Sequence, residues 1–213
     1  MKLKLSIFLF VVSNIFFGQE KQILKNIKIV YSHSLMKDVF LNDYTLIIKD
    51  SIAQYNSNRE KQKKEINGNT FEIGADIFIN NLNLNTNLYK EQRKLESSTL
   101  VNSEWFNETK WEITNETKFI SGYKAIKATT ESYELKKDNP YYQGKAIVWF
   151  TMEIPISAGP ARYGGLPGLI LEIEYEKGNS KYRLKSIVLD TSESLKDIND
   201  GKKIIKSDIL YWR

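Results

Sequence analysis

The sequence predicts a mainly β protein built as a single curved antiparallel sheet, half-barrel-like, with little helix. Short segments rich in β-branched and aromatic residues recur along the chain, and residues that favour turns separate them. Residues 169–175 alternate between apolar and mixed side chains with a period of two, which is typical of an antiparallel strand with one buried face. Residues 145–154 carry apolar side chains on both faces, as expected of a sheet that curls around something on its concave side.

Residues 1–18 predict a secretory signal peptide. Lys2 and Lys4 form a basic start, an apolar run follows, and Gly18 suits a small-residue cleavage site. The alternative is an uncleaved anchor, although the apolar run is shorter than the ~20 residues of a spanning helix. Residues 19–213 are then predicted to form a single β-rich domain without a transmembrane segment, located in the periplasm or at the outer membrane.

Charge and cysteine content exclude several kinds of function. The formal net charge of +5 falls to +3 when Lys2 and Lys4 leave with the signal peptide, and the basic residues are dispersed, so nucleic acid is not a predicted partner. The basic residues 59–64 are interpreted as a solvated loop, with an acidic polymer or lipid headgroups as the alternative partner. The chain has no cysteine, which excludes disulfides, thiolate nucleophiles and zinc–thiolate sites.

Turns and β-forming residues place the strands in chain order. The predicted strands are residues 27–31, 44–49, 52–55, 88–94, 96–104, 111–114, 118–120, 123–134, 145–154, 169–175 and 182–189. Residues 56–70 show no apolar period and are predicted to be a loop. No structure is assigned to residues 71–88, because asparagines interrupt their apolar pattern.

The C-terminal part of the chain differs from the rest. Asp190 and Glu193 have the spacing of a capping box, and Gly201 could end a helix, so one short helix is predicted between them. Residues 204–213 are apolar enough to pack as an edge strand.

The segment 155–168 predicts an ordered connection between two strands. It contains two breaks, Gly159-Pro160 and Gly164-Gly165, before the turn formed by residues 166–169. Proline in the second position and glycine in the third favour a type II turn, in which Gly168 takes a positive φ. A phosphate-binding loop is the alternative, but no Lys-Ser/Thr pair and no helix signal follow.

The hexapeptide Gly165-Leu166-Pro167-Gly168-Leu169-Ile170 resembles the motif of the GLPGLI family of exported Gram-negative envelope proteins. The similarity covers residues 25–190 and includes Trp149-Phe150-Thr151, Gly159-Pro160, Tyr163, Trp111 and residues 120–129. It implies an exported, β-rich envelope protein, and the family has no assigned activity. Family members often carry a cysteine where this chain has Ala125, so a role of that cysteine does not transfer.

A second resemblance concerns the order of elements alone. A tryptophan strand, an Ile-Ser-Gly-Tyr turn, another tryptophan strand and a Gly-x-Pro turn are similar to the order in periplasmic lipoprotein-carrier proteins. This is a fold-level analogy and implies little about function.

The sequence offers few residues for catalysis. The one histidine, His33, is interpreted as solvent-facing, and Glu172 and Glu174 are interpreted as the solvent-exposed face of a strand. No catalytic residue, metal or cofactor is predicted, and whether the protein is an enzyme is left open. A carboxylate-based hydrolase is the third hypothesis for function; it would need an acid such as Glu153 beside a second acid in a cleft.

Aromatic residues in the central strands carry the leading hypothesis for function. Trp111, Trp149, Phe150 and Tyr163 are predicted to line a concave sheet face that binds a lipid, another apolar ligand or a partner segment without catalysis. The second hypothesis is an accessory module of an outer-membrane complex that binds an envelope protein through an edge strand.

Overall fold

A computed structural model of the chain describes residues 26–35, 38–95, 97–131, 144–178 and 180–205. These residues form fourteen strands and no helix, which confirms the predicted fold class. The predicted signal peptide (residues 1–18) and most of the predicted C-terminal edge strand (residues 206–213) lie outside the described residues.

The strands have the following bounds: β1 (Ile27–Leu35), β2 (Phe40–Lys49), β3 (Ile52–Arg59), β4 (Gln62–Ile66), β5 (Asn69–Ile73), β6 (Asp76–Asn83), β7 (Leu88–Lys94), β8 (Leu100–Phe106), β9 (Glu112–Ile120), β10 (Tyr123–Thr130), β11 (Ala146–Thr151), β12 (Leu169–Tyr175), β13 (Ser180–Val188) and β14 (Lys202–Lys203). Strands β7 and β12 have the predicted bounds. The two strands predicted at 111–114 and 118–120 are one strand, β9.

Twelve strands form one sheet in the order β14-β8-β7-β6-β3-β2-β1-β13-β12-β11-β10-β9. Neighbouring strands are antiparallel except β14 and β8, which run parallel. Strand β1 lies centrally. Strands β2, β3, β6, β7 and β8 extend the sheet on one side, where β14 is added at the end, and β13 to β9 extend it on the other. The sheet is curved but does not close into a barrel, and β14 and β9 are its end strands in the described part of the chain.

The loop predicted at residues 56–70 is wrong. Strand β3 continues to Arg59, and β4 and β5 form a separate two-stranded hairpin. The turn is Asn67-Gly68, and both residues have positive φ (51° and 77°). Asn-Gly is the preferred pair for such a hairpin turn, so a local signal was present although the flanking residues are mostly exposed and polar.

One face of the sheet, here called the inner face, carries the core. The buried rings of Tyr31, Tyr44, Tyr55 and Tyr89 lie on this face. The pairing register of the strands places all four rings on the same side of the sheet. A second, smaller cluster is centred on Phe150 and includes residues of β10, β11 and β12. Many of the aromatic residues thus belong to the core.

The helix predicted between Asp190 and Gly201 is also wrong. Residues 191–203, here called the strap, cross the opposite, outer face and end in β14. Gln54 of β3 bonds both the backbone N–H and the backbone C=O of Lys196, each at 2.8 Å. Gln92 of β7 makes the same pair of bonds to Asn199, at 3.4 and 2.7 Å. Because side chains of the sheet satisfy the strap backbone, helical hydrogen bonds are not needed.

Replacement of Gln54 by alanine is expected to lower the free energy of unfolding by about 1–3 kcal/mol, because two hydrogen bonds to the strap backbone are lost, each worth about 0.5–1.5 kcal/mol. Urea unfolding measures the loss, and amide exchange should show faster exchange in residues 191–203. The matched control is Gln62→Ala on β4, whose amide bonds only the Asn42 side chain among the described residues. Equal stability and equal strap exchange in the two variants would contradict this role of Gln54.

Candidate functional site

The connection from β11 to β12, residues 152–168, packs onto the inner face and is here called the inner loop. Backbone bonds from Leu169 to Ile154 (3.0 Å) and from Ile170 to Ala158 (3.0 Å) tie it to the start of β12. Tyr31 of the central strand β1 donates a hydrogen bond to the Ile170 carbonyl at 2.7 Å. The ordered connection predicted for residues 155–168 is therefore present, and it covers part of the inner face.

The predicted type II turn at Gly168 is wrong in its geometry. Gly165, not Gly168, has the positive φ (+89°). Glycine is needed at position 168 because a Cβ there would lie 2.0 Å from the Thr151 carbonyl oxygen. The motif thus allows β11 and the start of β12 to approach closely, a second reason for glycine besides backbone freedom.

The tip of the inner loop holds an unusual backbone conformation. Ala161 and Arg162 both have positive φ, 55° and 68°, which costs energy for residues with a Cβ. The Arg162 carbonyl accepts a 2.8 Å hydrogen bond from Tyr89. Its guanidinium reaches Glu91 of β7 with two bonds of 2.6 and 2.5 Å. The conformation carries the guanidinium to the inner face, where this bidentate pair compensates the cost.

Glu91 is the centre of a chain of alternating charges. Arg93 donates to Glu91 at 3.2 Å through Nε and to Asp76 at 2.5 Å through Nη1. Arg59 lies 3.8 Å from the other Asp76 oxygen. The order along the inner face is therefore Arg162, Glu91, Arg93, Asp76, Arg59.

Glu91 remains ionised although it is buried. Burial by itself would raise the pKa of its carboxyl, but Arg162 and Arg93 outweigh burial and hold that pKa below its ordinary value. Asn80 adds a 2.9 Å hydrogen bond to the carboxylate. Because two arginines and an asparagine compensate its charge, the Glu91 carboxylate is suited to fixing the inner loop on the sheet. It is poorly suited to accepting a proton from a substrate.

A small cleft remains beside the loop tip, with a cavity volume of ≈ 30 Å³, enough for one or two water molecules. Its walls combine aromatic rings with charged groups: Tyr44, Tyr55, Phe78, Tyr182, Asp76, Arg93, Ala161 and Arg162. The Tyr44 and Tyr55 rings stack at 5.5 Å, and Arg93 lies 4.9 Å from the Phe78 ring centroid. These contacts hold the side chains of the wall in fixed positions.

The prediction that His33 faces solvent is wrong. Its side chain is buried at the edge of this aromatic group, stacked on Tyr182 with ring centroids 4.1 Å apart. Its Nε2 lies 2.7 Å from the Ser180 hydroxyl. Register explains the burial: His33 pairs with Tyr182 and belongs to the inner-face side of β1, two residues after Tyr31.

The four residues predicted to bind ligand do not form one wall. Trp111, Phe150 and Tyr163 pack together in the smaller cluster, where the Trp111 and Tyr163 rings are 5.8 Å apart. Trp111 also donates to the Gly164 carbonyl at 2.9 Å, so it anchors the inner loop. Trp149 packs against the larger cluster instead, with the Lys118 ammonium 4.3 Å from its ring centroid. A ligand-binding role for these four residues stays a prediction.

The acids singled out in the sequence have other surroundings. Glu153 is exposed, and its carboxylate accepts a 2.8 Å bond from the Lys124 backbone. Glu172 is buried instead of solvent-exposed, and its carboxylate accepts a 2.8 Å hydrogen bond from the Lys118 ammonium. No group of three or more potential metal ligands occurs in the described ranges. The same ranges hold no helix with the length and apolar character of a membrane span.

The residues of the cleft escaped sequence reasoning because they come from distant parts of the chain. Arg162 and Glu91 are 71 positions apart. One signal was available: Glu91-Gln92-Arg93 are three consecutive polar residues inside a correctly predicted strand, and all three are buried. Such residues need partners on both faces of a sheet, and here the inner loop and the strap supply them.

Comparisons with known proteins give a fold and no function. A family model described as a protein of unknown function (Porph_ging) matches residues 136–172, which include the hexapeptide. A search of curated proteins found no match. The GLPGLI resemblance itself stays a prediction.

Two solved structures of a protein called PNGF-II have a similar fold. The crystal form in space group P21 matches with a TM-score of 0.60 and 18% identity, over 88% of this chain and 33% of that chain. The C2 form matches with a TM-score of 0.55 and 20% identity, over 88% and 32%. This chain therefore spans about a third of that protein.

A putative outer membrane lipoprotein-sorting protein domain from Vibrio parahaemolyticus is more distant. It matches with a TM-score of 0.31 and 8% identity, over 80% of this chain and 88% of that chain, which is too weak a likeness to support a conclusion.

Proposed function

We propose that the protein is an exported, non-enzymatic binding protein of the cell envelope, and that an apolar end of its ligand, or of a partner segment, contacts the small cleft on the inner face. Export rests on residues 1–18, which have the pattern of a signal peptide. The observation that supports the binding role is the cleft itself, whose wall combines four aromatic rings with charged groups.

The wall of the cleft favours binding over catalysis. Tyr44, Tyr55, Phe78 and Tyr182 offer ring faces and edges for an apolar body. Two carboxylates lie at the site, and both are paired with arginines: Glu91 with Arg93 and Arg162, and Asp76 with Arg93 and Arg59. A carboxylate hydrolase needs at least one acid that can exchange a proton near neutral pH, and these pairings oppose it.

Removal of the Phe78 ring tests the proposal. Isothermal titration of the folded protein with octan-1-ol, an uncharged apolar probe, should give saturable binding, and Phe78→Leu should weaken it about 3- to 10-fold because the ring contact is lost while the apolar volume is largely kept. Phe119→Leu on β9 is the matched control, since Phe119 is 77% exposed and does not line the cleft. Absence of binding, or equal weakening in both variants, would refute the proposal.

A second candidate is recognition of another protein through strand β9. This strand ends the sheet, and its Ile113 and Phe119 side chains are 53% and 77% exposed. A strand of a partner could extend the sheet there, as in β-augmentation. Failure of the octan-1-ol titration, together with one dominant protein that co-purifies and no small ligand, would favour this candidate.

A further inference from the structure

The outer face holds the strap through two glutamine side chains, here called the amide clamps. The amide of Gln54 bonds both backbone groups of Lys196, the N–H and the C=O. The amide of Gln92 bonds the same two groups of Asn199. Every residue except proline carries an N–H and a C=O group, so this recognition does not depend on the side chains of the bound segment.

Neighbouring asparagines hold both clamps in position. The Gln54 amide also donates to the Asn81 side chain of the next strand, at 2.9 Å. In the same way the Gln92 amide donates to the Asn102 side chain, at 2.9 Å. Both glutamine side chains are buried. The clamps are therefore fixed by the sheet, and a segment that binds them does not have to order them first.

The spacing of the clamps selects an extended backbone. Strands β3 and β7 are separated only by β6, which places the two clamps about 10 Å apart or more. The strap covers this distance with the three residues from Lys196 to Asn199, and three residues reach about 10–11 Å only when they are nearly fully extended. Leu195 and Ile198, three positions apart, are partly buried, whereas Asp197 between them is exposed.

Few other contacts hold the strap on the sheet. Strand β14 has two residues and pairs in parallel with β8. Glu193 pairs with Lys28, but both side chains are substantially exposed, and such pairs contribute little to stability. The Lys196 ammonium donates to the Asn56 side chain at 3.0 Å. The strap is therefore an element of low local stability, which can leave the sheet while the core stays folded.

We propose that the outer face binds an extended segment of another polypeptide at the amide clamps, and that the strap is the intramolecular occupant which this segment displaces. The clamps recognise groups common to all polypeptides, and the strap adds few contacts of its own. The segment has a backbone N–H group at each clamped position and two apolar side chains three positions apart, as Leu195 and Ile198 are in the strap. This site lies on the face opposite the cleft, so the inference goes beyond the proposed function and does not depend on it.

A variant of the full chain that loosens the strap tests the displacement. In Gly201→Ala the new Cβ would lie 2.8 Å from Asn102 Oδ1 and 2.9 Å from the Leu100 carbonyl oxygen, so the end of the strap should detach. Fluorescence anisotropy measures binding of a labelled peptide with the sequence of residues 190–205. The variant should bind this peptide about tenfold more tightly than the wild type, because its own strap competes less. Gly74→Ala, where nothing lies within 4 Å of the new Cβ, should bind like the wild type.

Two altered peptides test recognition of the backbone. Lys196→Pro together with Asn199→Pro removes the two N–H groups that the clamps accept, and binding to Gly201→Ala should weaken at least about tenfold. Proline keeps the peptide extended, so the loss reports the missing donors. Replacement of the exposed Ser192, Ser194 and Asp197 by alanine should change binding by no more than about threefold.

A change in the groove completes the test. Gln92→Ala combined with Gly201→Ala should abolish the gain in affinity, whereas Gln62→Ala in the same background should keep it. Equal binding of the proline peptide and the unaltered peptide would overturn the inference, as would absence of binding to Gly201→Ala when its circular dichroism matches the wild type. A dimer of Gly201→Ala that excludes the peptide would also overturn it, and would assign the groove to the strap of a second copy of the chain.

Discussion

Replacement of Gly168 by alanine should prevent stable folding of the domain. The added Cβ would lie 2.0 Å from the carbonyl oxygen and 2.7 Å from the carbonyl carbon of Thr151. Both atoms belong to the backbone of β11, and Thr151 is fully buried and pairs with Leu169 in the sheet. No flexible side chain can move aside. We expect a loss of about 4 kcal/mol or more, a large part of the 5–15 kcal/mol that stabilises an ordinary domain.

The matched control for this change is Gly74→Ala. Nothing lies within 4 Å of a Cβ at Gly74, and its φ is outside the left-handed region. The control should therefore unfold within about 0.5–1 kcal/mol of the wild type. Circular dichroism and urea unfolding measure both variants. If Gly168→Ala had the urea midpoint of Gly74→Ala, the close approach of β11 and β12 would be an incorrect explanation for the glycine.

Replacement of Glu91 by glutamine is expected to cost about 3–5 kcal/mol, because it leaves two arginines in a buried site without their shared counter-ion. Glu91 is 1% exposed and contacts Arg162, Arg93 and Asn80. The loss should release the inner loop from the sheet, so limited proteolysis near residues 158–164 should become faster. Glu104→Gln removes an exposed partner of Lys90 and should cost no more than about 1 kcal/mol.

The pH dependence of stability gives a second test of Glu91. The pKa of Glu91 is lowered in the folded protein from the ordinary 4.5 of a glutamic acid. A group with a lowered folded-state pKa contributes its stability fully above the unfolded-state pKa and loses it as the pH falls through the folded-state pKa. The difference in unfolding free energy between wild type and Glu91→Gln should therefore be constant above pH 5–6, about one unit above the ordinary pKa, and shrink in more acid solution. A difference that grew on acidification would contradict the assigned charge state.

Local patterns determined much of the sheet. The period of two in residues 169–175 gave β12 its bounds, and Ser121-Gly122 was recognised as a turn, with both residues at positive φ between β9 and β10. These features depend on side-chain alternation and turn chemistry, which act over a few residues. The same local reasoning failed for residues 191–201, because the capping-box spacing there competes with hydrogen bonds from Gln54 and Gln92, more than 100 positions away.

The cleft was decided by tertiary structure. Glu91, Asp76 and Arg162 belong to no recognisable sequence motif. They come together because of the register of β3, β6 and β7 and because the inner loop packs on this part of the sheet. Sequence alone determined that the chain would form one large, mainly antiparallel sheet, since turn chemistry and side-chain alternation act locally. Long-range strand pairing decided which rings and which charged groups line the cleft. A shift of one residue in register would turn every one of these side chains to the other face of the sheet.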